Sequence, residues 1–302
     1  MLSYTGLRNL FGDLTNDASS ANLTLADTLI NNVIRKILRK VNWPFLERTA
    51  SITTVASQQD YDLPYNFRKI LATPYLTVSS TQYPMKESPT REHWNWLNQT
   101  TTTTSDIPEY FYIFNKQISI YPTLSSASNT ITVPYLIRVK DLSVADYTTG
   151  TITTTAASDE TVVGSGTSWT AQMANRYLRI TDGDAAGSGD GEWYEIASVT
   201  DGTNLELQEA YAGTAITAGS AAYAMGQMPE LPEEFHILPV NGALQTYFTS
   251  IKPERARAQD YGALFQEGMR DLLKDHGGKS TSPAIIDSLV QEVRNPNLFV
   301  EL

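Results

Sequence analysis

The hydrophobic period of this chain changes twice, and that change limits its fold more than any other feature. Near the start, Ala26, Leu29, Ile30, Val33, Ile34, Ile37, Leu38 and Val41 recur at helical spacing. Thr24 is the expected N-cap, with Asp27 in the capping-box position. Arg35, Lys36, Arg39 and Lys40 fill the last two turns, where cations suit the helix dipole. Trp43-Pro44-Phe45 should stop the helix, because the residue before a proline is pushed out of the α region.

The period then becomes two. Segments rich in β-branched and aromatic residues predict strands at 51–55, 69–78, 109–114, 117–121 and 129–139, as in an antiparallel sheet. Asn115-Lys116 between two of these predicts a tight hairpin. A short helix over 90–97 is expected to interrupt them, capped by Ser88 or Thr90, and Thr100–Thr104 reads as an exposed loop. Further short strands are predicted at 151–155, 161–164, 177–181, 193–199, 204–207 and 221–224, enough for a small barrel or sandwich. Helix returns at Pro232-Glu233-Glu234, restarts at Pro239 and runs to about Ser250. A second helix from about Pro253 turns Ala258, Tyr261, Leu264, Phe265, Met269, Leu272 and Leu273 inward and ends at Gly277-Gly278. The expected class is α+β: a helical bundle from the two ends, an antiparallel β region and an inserted all-β barrel or sandwich.

Charge divides the chain along similar lines. Residues 1–145 carry 13 basic and 11 acidic side chains, residues 146–228 carry 2 and 11, and residues 229–302 carry 7 and 11. Most of the net charge of −11 therefore lies in the middle zone, as expected of an inserted module with its own surface. Such a chain is a poor general binder of nucleic acid, since phosphate affinity depends on Lys and Arg displacing counterions. With no cysteine, a disulfide, a thiolate metal site and a cysteine nucleophile are all excluded. Met1–Leu10 lacks a basic segment followed by an apolar run, so export through a signal peptide is not expected. No window reaches the ~18 uninterrupted apolar residues of a membrane span.

No catalytic, cofactor-binding or metal-binding residues emerge. His93, His236 and His276 stand apart, and His236 among Phe235, Ile237 and Leu238 reads as a core or interface histidine. The stretch Asp182–Glu192 has the oxygen density of a calcium loop, but Ala186 and Trp193 fall where ligands should be, so an ion-free acidic turn is expected. The aromatics Tyr110–Phe114, Trp94 and Trp96 could stack on sugars or bases; their alternation favours packing, with half of each cluster facing a core. The basic quartet of the first helix is read as a solvated face, a phosphate contact or a seat for an acidic neighbouring subunit.

The order of elements carries a resemblance. The helix ending in Trp43-Pro44-Phe45 is followed by Asp62-Leu63-Pro64-Tyr65-Asn66-Phe67-Arg68-Lys69-Ile70, Tyr83-Pro84, the helix with Arg91-Glu92-His93-Trp94, and Pro108-Glu109-Tyr110 leading to Ile120-Tyr121-Pro122. Pro232-Glu233-Glu234-Phe235-His236 and the helix to Leu273 complete it. This resembles the head-to-tail adaptor (connector) proteins of tailed bacteriophages, the tail tubular protein A group included, over residues 20–145 and 229–275. The acidic β-module departs from the smallest adaptors.

The resemblance implies a non-enzymatic virion protein at the head–tail junction, made in the host cytoplasm. It implies a homo-oligomeric ring, usually of twelve copies, docked under the portal protein and carrying tail nozzle, tube or fibre proteins. DNA passes through such a ring without specific binding, and carboxylates in the lumen would repel its phosphates. Ring-wall residues are then expected at Leu29, Val33, Ile37, Tyr261, Phe265, Met269 and Leu272. Residues 279–302, with a short helix expected at 283–293, have too few apolar side chains to fold alone, so Asn295, Pro296, Asn297, Leu298, Phe299 and Val300 are expected to dock on the portal. The middle module is expected to face outward, and its alternative role is carbohydrate binding on a virion surface.

Overall fold

A computed structural model describes residues 1–99, 104–154, 159–181, 189–216 and 221–277. It is a mixed α+β structure. Among the described residues are five α-helices: α1 (Tyr4–Thr15), α2 (Ser20–Lys40), α3 (Arg91–Gln99), α4 (Leu238–Thr246) and α5 (Arg255–His276). Contacts group Met1–Lys40 with Asp141–Leu302 as one compact unit and leave Val41–Lys140 as the other.

The first unit begins with a helix that the sequence reading did not contain. Ser3 caps α1 by accepting a hydrogen bond from the Gly6 N–H at 3.2 Å, and Tyr4, Leu7 and Phe11 form its buried stripe. The next helix also starts earlier than Thr24. Ser19 stands at its head, its carbonyl accepting from Leu23 N–H at 2.9 Å, while the Thr24 hydroxyl bonds back to the Ser20 carbonyl within the helix. The apolar stripe of α2 is otherwise as expected, with Ala26, Ile30, Val33, Ile34, Ile37 and Leu38 buried and Leu29 half-buried.

Pro239 sits in the first turn of α4, which continues as a π-helical turn over Tyr247–Ile251. Gly242 lets α4 approach α2 and α5 closely: a Cβ there would stand 2.7 Å from Val33 Cγ1 and 3.0 Å from Phe265 Cδ2. Phe11 meets Tyr247 edge-on at 5.5 Å, and Phe248 stacks on Tyr261 at 5.8 Å, tying α1 and α5 to the same turn. On α5, Met269, Leu272 and Leu273 are buried and Ala258, Tyr261 and Phe265 half-buried, but Leu264, expected inward, is 49 % exposed. The residue lies about 100° around the helix from Phe265, too far to share its face.

The same unit contains one continuous six-stranded antiparallel sheet. Its strands, in spatial order, are Thr151–Thr154, Thr161–Ser165, Asn204–Leu207, Trp193–Val199, Tyr177–Ile180 and Tyr223–Gly226. Ile152 also bridges to Ala221, so the sheet curls into a half-barrel. Alternation does the work: Ile152, Val162, Leu178, Ile180, Ile196, Leu205, Leu207 and Met225 point to one core, while Arg179 and Glu195 face out.

The Val41–Lys140 unit divides its strands among smaller sheets. Thr130–Ile137 pairs antiparallel with Glu47–Thr53, Phe67–Ile70 and Tyr75–Val78. The expected strand 69–78 is therefore two strands. The predicted hairpin is present, with Tyr110–Phe114 against Gln117–Tyr121 and both turn residues left-handed (Asn115 φ 50°, Lys116 φ 61°), as a type I′ turn requires. The sheets are not wholly antiparallel, because Lys86–Glu87 pairs parallel with Tyr110–Phe111, and Thr104–Ser105 with Thr123–Leu124. Thr90 caps α3 by accepting from His93 N–H at 3.1 Å. Residues 100–103, Asp182 and Asp184, the segment 283–293 and the docking residues Asn295–Val300 lie outside the described residues.

Candidate functional site

His93 stands apart, whereas His236 and His276 come to neighbouring positions around Glu234 and Phe235. His236 is buried; its Nδ1 accepts the Leu2 N–H at 3.1 Å and its Nε2 lies 2.9 Å from the Leu231 carbonyl. That pattern requires the neutral ring, and burial holds its pKa below the ordinary value. His93 contacts the Ser88 hydroxyl at 2.9 Å, and His276 lies 3.3 Å from Glu234 and edge-on to Phe235. Among the described residues no group of three or more His, Asp or Glu could hold a metal ion. Of the expected acidic loop, Asp190 is engaged by Tyr194 Oη at 2.5 Å and by Glu192 N–H at 3.1 Å. Burial, and secondarily that carboxylate, push the Tyr194 phenol up to about 12.

The large aromatics of the half-barrel are spent on its core. Trp169 is 4 % exposed, donates from Nε1 to Tyr223 Oη at 3.0 Å, and meets that ring edge-on. Tyr194 and Tyr211 pack edge-on at 5.4 Å. The aromatics of the other unit divide as alternation implied: Trp94 and Phe111 are buried, whereas Trp96 and Phe114 are 60 % and 56 % exposed. Arg91 lies over the Phe114 ring at 4.1 Å.

The basic end of α2 has both internal and outward functions. Arg35 donates from Nε and Nη2 to the two carboxylate oxygens of Asp141 and from Nη1 to Asn32 Oδ1 at 2.9 Å. Beneath it, buried Asn31 donates to the Leu142 carbonyl at 2.8 Å and accepts the Leu142 N–H at 2.9 Å. An Asn inside an apolar stripe is the sequence signal for this clamp, and the sequence reading passed over it. Lys36 and Lys40 instead rim a hollow of about 300 Å³ whose lining includes Ile37, Thr246, Phe265 and Met269. Thus four of the seven expected ring-wall residues occupy helix-packing positions beside or under it: Val33, Ile37, Phe265 and Met269. Leu272 is buried, and Leu29 and Tyr261 half-buried, on the same helices.

A family model described as SU10 adaptor protein matches residues 2–194. The match takes in α1, which the resemblance did not, and runs into the acidic module as far as Tyr194, so more than half of the 146–228 zone lies within it. It does not reach α4 and α5. No curated protein matches the chain. The family is one of structural bacteriophage proteins, with a role in the virion that involves portal and tail proteins. With well over half of its length matched, the chain belongs to the SU10 adaptor protein family.

Proposed function

We propose that the chain is a subunit of a ring at the head–tail junction that docks under the portal, extends the DNA channel and offers a surface to tail components. The family match over residues 2–194 carries this reading. In it the helices close as a bundle forming the ring wall, in twelve copies, and Asn295–Val300 bind the portal. The half-barrel completes a small barrel facing outward, where exposed Glu160, Glu192, Glu195, Asp201 and Glu209 keep it from DNA and from its neighbours. The charge zones 1–145, 146–228 and 229–302 are then three surfaces with different tasks. A carbohydrate-reading module is the weaker alternative, since Trp169, Tyr194, Tyr211 and Tyr223 are buried and not offered for stacking.

Electron micrographs of the purified protein mixed with portal test the reading directly. Rings seated on the portal are expected, and deletion of residues 280–302 should abolish that seating. Full seating by the truncated chain would remove the tail from the mechanism, and a protein that stays single with every head and tail component would end the proposal.

A further inference from the structure

Two faces of the helical unit differ in shape and in charge. The first is the hollow rimmed by Lys36 and Lys40, with Ile37, Phe265 and Met269 in its apolar lining. It runs on into a second depression of about 610 Å³ that shares Gln245, Thr249 and Gln266 with it. Burial, and then the nearby Lys40, hold the Lys36 ammonium below its usual pKa, as expected of two cations on one rim.

The second face is on α5. Asp260, Leu264, Glu267, Asp271 and Asp275 are all exposed, and their spacings of four, three, four and four residues put them on one stripe. Leu264, 49 % exposed, stands among them with Asp260 one turn before and Glu267 one turn after. At about 100° per residue this stripe is centred about 160° around α5 from Met269 and about 120° from Phe265. One copy therefore cannot bring its own stripe to its own hollow.

We infer that the α5 stripe of one copy seats in the Lys36/Lys40 hollow of the next, Leu264 entering the apolar floor while Glu267 and its neighbouring carboxylates meet the two ammoniums. The occupant is a second copy because the same chain carries both the cation-rimmed hollow and an acid-flanked apolar knob, turned away from each other. Two different patches meeting make a heterologous contact, which propagates from copy to copy and closes into a ring when the rotation between copies allows. This deepens the ring reading and rests on it.

Charge reversal tests the pairing in the full-length protein. Lys36→Glu with Lys40→Glu reverses the hollow, and Glu267→Lys with Asp271→Lys reverses the stripe. Self-association by sedimentation at low salt, and ring formation on portal, should each fall at least about tenfold for either variant alone. An equimolar mixture should recover both, because each variant carries the face that the other needs. Since the chain has no cysteine, Lys40→Cys and Glu267→Cys copies give a second measure. A thiol cross-linker should join the two kinds to each other in preference to like pairs. Reversed variants that assemble as the unaltered chain does, a mixture that recovers nothing, or cross-linking of like pairs only would overturn the inference. So would a hollow reversal that lost only portal or tail-component binding, which would make the occupant an acidic segment of another protein. Unaltered protein that cross-links as expected but never seats on portal would sink the ring-under-portal reading and leave the contact standing.

Discussion

The half-barrel and the Val41–Lys140 unit are both assembled from short strands, but they dispose of their large side chains in opposite ways. In the half-barrel one continuous sheet wraps one core, and Trp169, Tyr194, Tyr211 and Tyr223 are drawn inside it. Its exterior carries mainly acids and small polar residues, with Arg179 over the half-buried Trp193. In the Val41–Lys140 unit the strands form several smaller sheets around Leu76, Phe111, Ile118, Ile120 and Ile131, and Tyr65, Trp96 and Phe114 remain more than half exposed. Exposed aromatics of that size cost solubility unless something covers them, and acids cost compactness unless repulsion is useful. Under the proposed function, the aromatic surface is the one available for contacts and the acidic surface the one kept clear of them.

The sharpest way to break this comparison is to empty the half-barrel core. Trp169→Ala removes a buried ring and the hydrogen bond that Tyr223 Oη accepts from it, leaving that hydroxyl only its bond to the Thr149 carbonyl, and should cost about 3–5 kcal/mol in urea unfolding. A loss under about 1 kcal/mol would show that the aromatics are not what holds this sheet together. High pH gives a smaller contrast. Burial lifts Tyr194 and Tyr223 up to about 12, against an ordinary 10.0. The folded state thus keeps these protons longer than the unfolded chain, so their contribution is whole below pH 10 and is lost as pH rises toward 12. Near-ultraviolet circular dichroism should show the half-barrel loosening in that window, with phenolate absorbance from these two tyrosines delayed beyond pH 10. Normal titration of both would contradict their enclosure. The smallest stability effect is expected on the other side of the comparison. Trp96→Ala and Phe114→Ala should each change unfolding by about 0.5–1 kcal/mol, the latter through loss of the Arg91 contact. Both should nonetheless weaken attachment of portal or tail components measured by pull-down, and unchanged attachment would strip this surface of its assigned role.

Legibility followed range. The α2 stripe, the 110–121 hairpin, the strands of the half-barrel and the long C-terminal helix were all read from periods of two or 3.6, because each pattern lies within one short window. Helix α1 was missed although Tyr4, Leu7 and Phe11 hold a helical spacing; Gly6 and Gly12 dilute its propensity, and its cap depends on one serine. The start of α2 was misplaced for a related reason, since Thr24 and Ser19 are both acceptable caps and only the fold chooses between them. Asn31, within an apolar stripe, found its use only in the fold, where Leu142, far along the chain, supplies two of its hydrogen bonds.

By itself, then, the sequence determined most of the helices and strands, α1 apart, where the acids gather, and an order of elements that resembles the family. The tertiary structure decided what those segments meet: Thr130–Ile137 against Glu47–Thr53, Asp141 against Arg35, three helices around one hollow. The physical reason is that a local period follows from backbone geometry alone. A partner is instead selected by burying that pattern against residues tens of positions away, where the packing of both surfaces is settled at once.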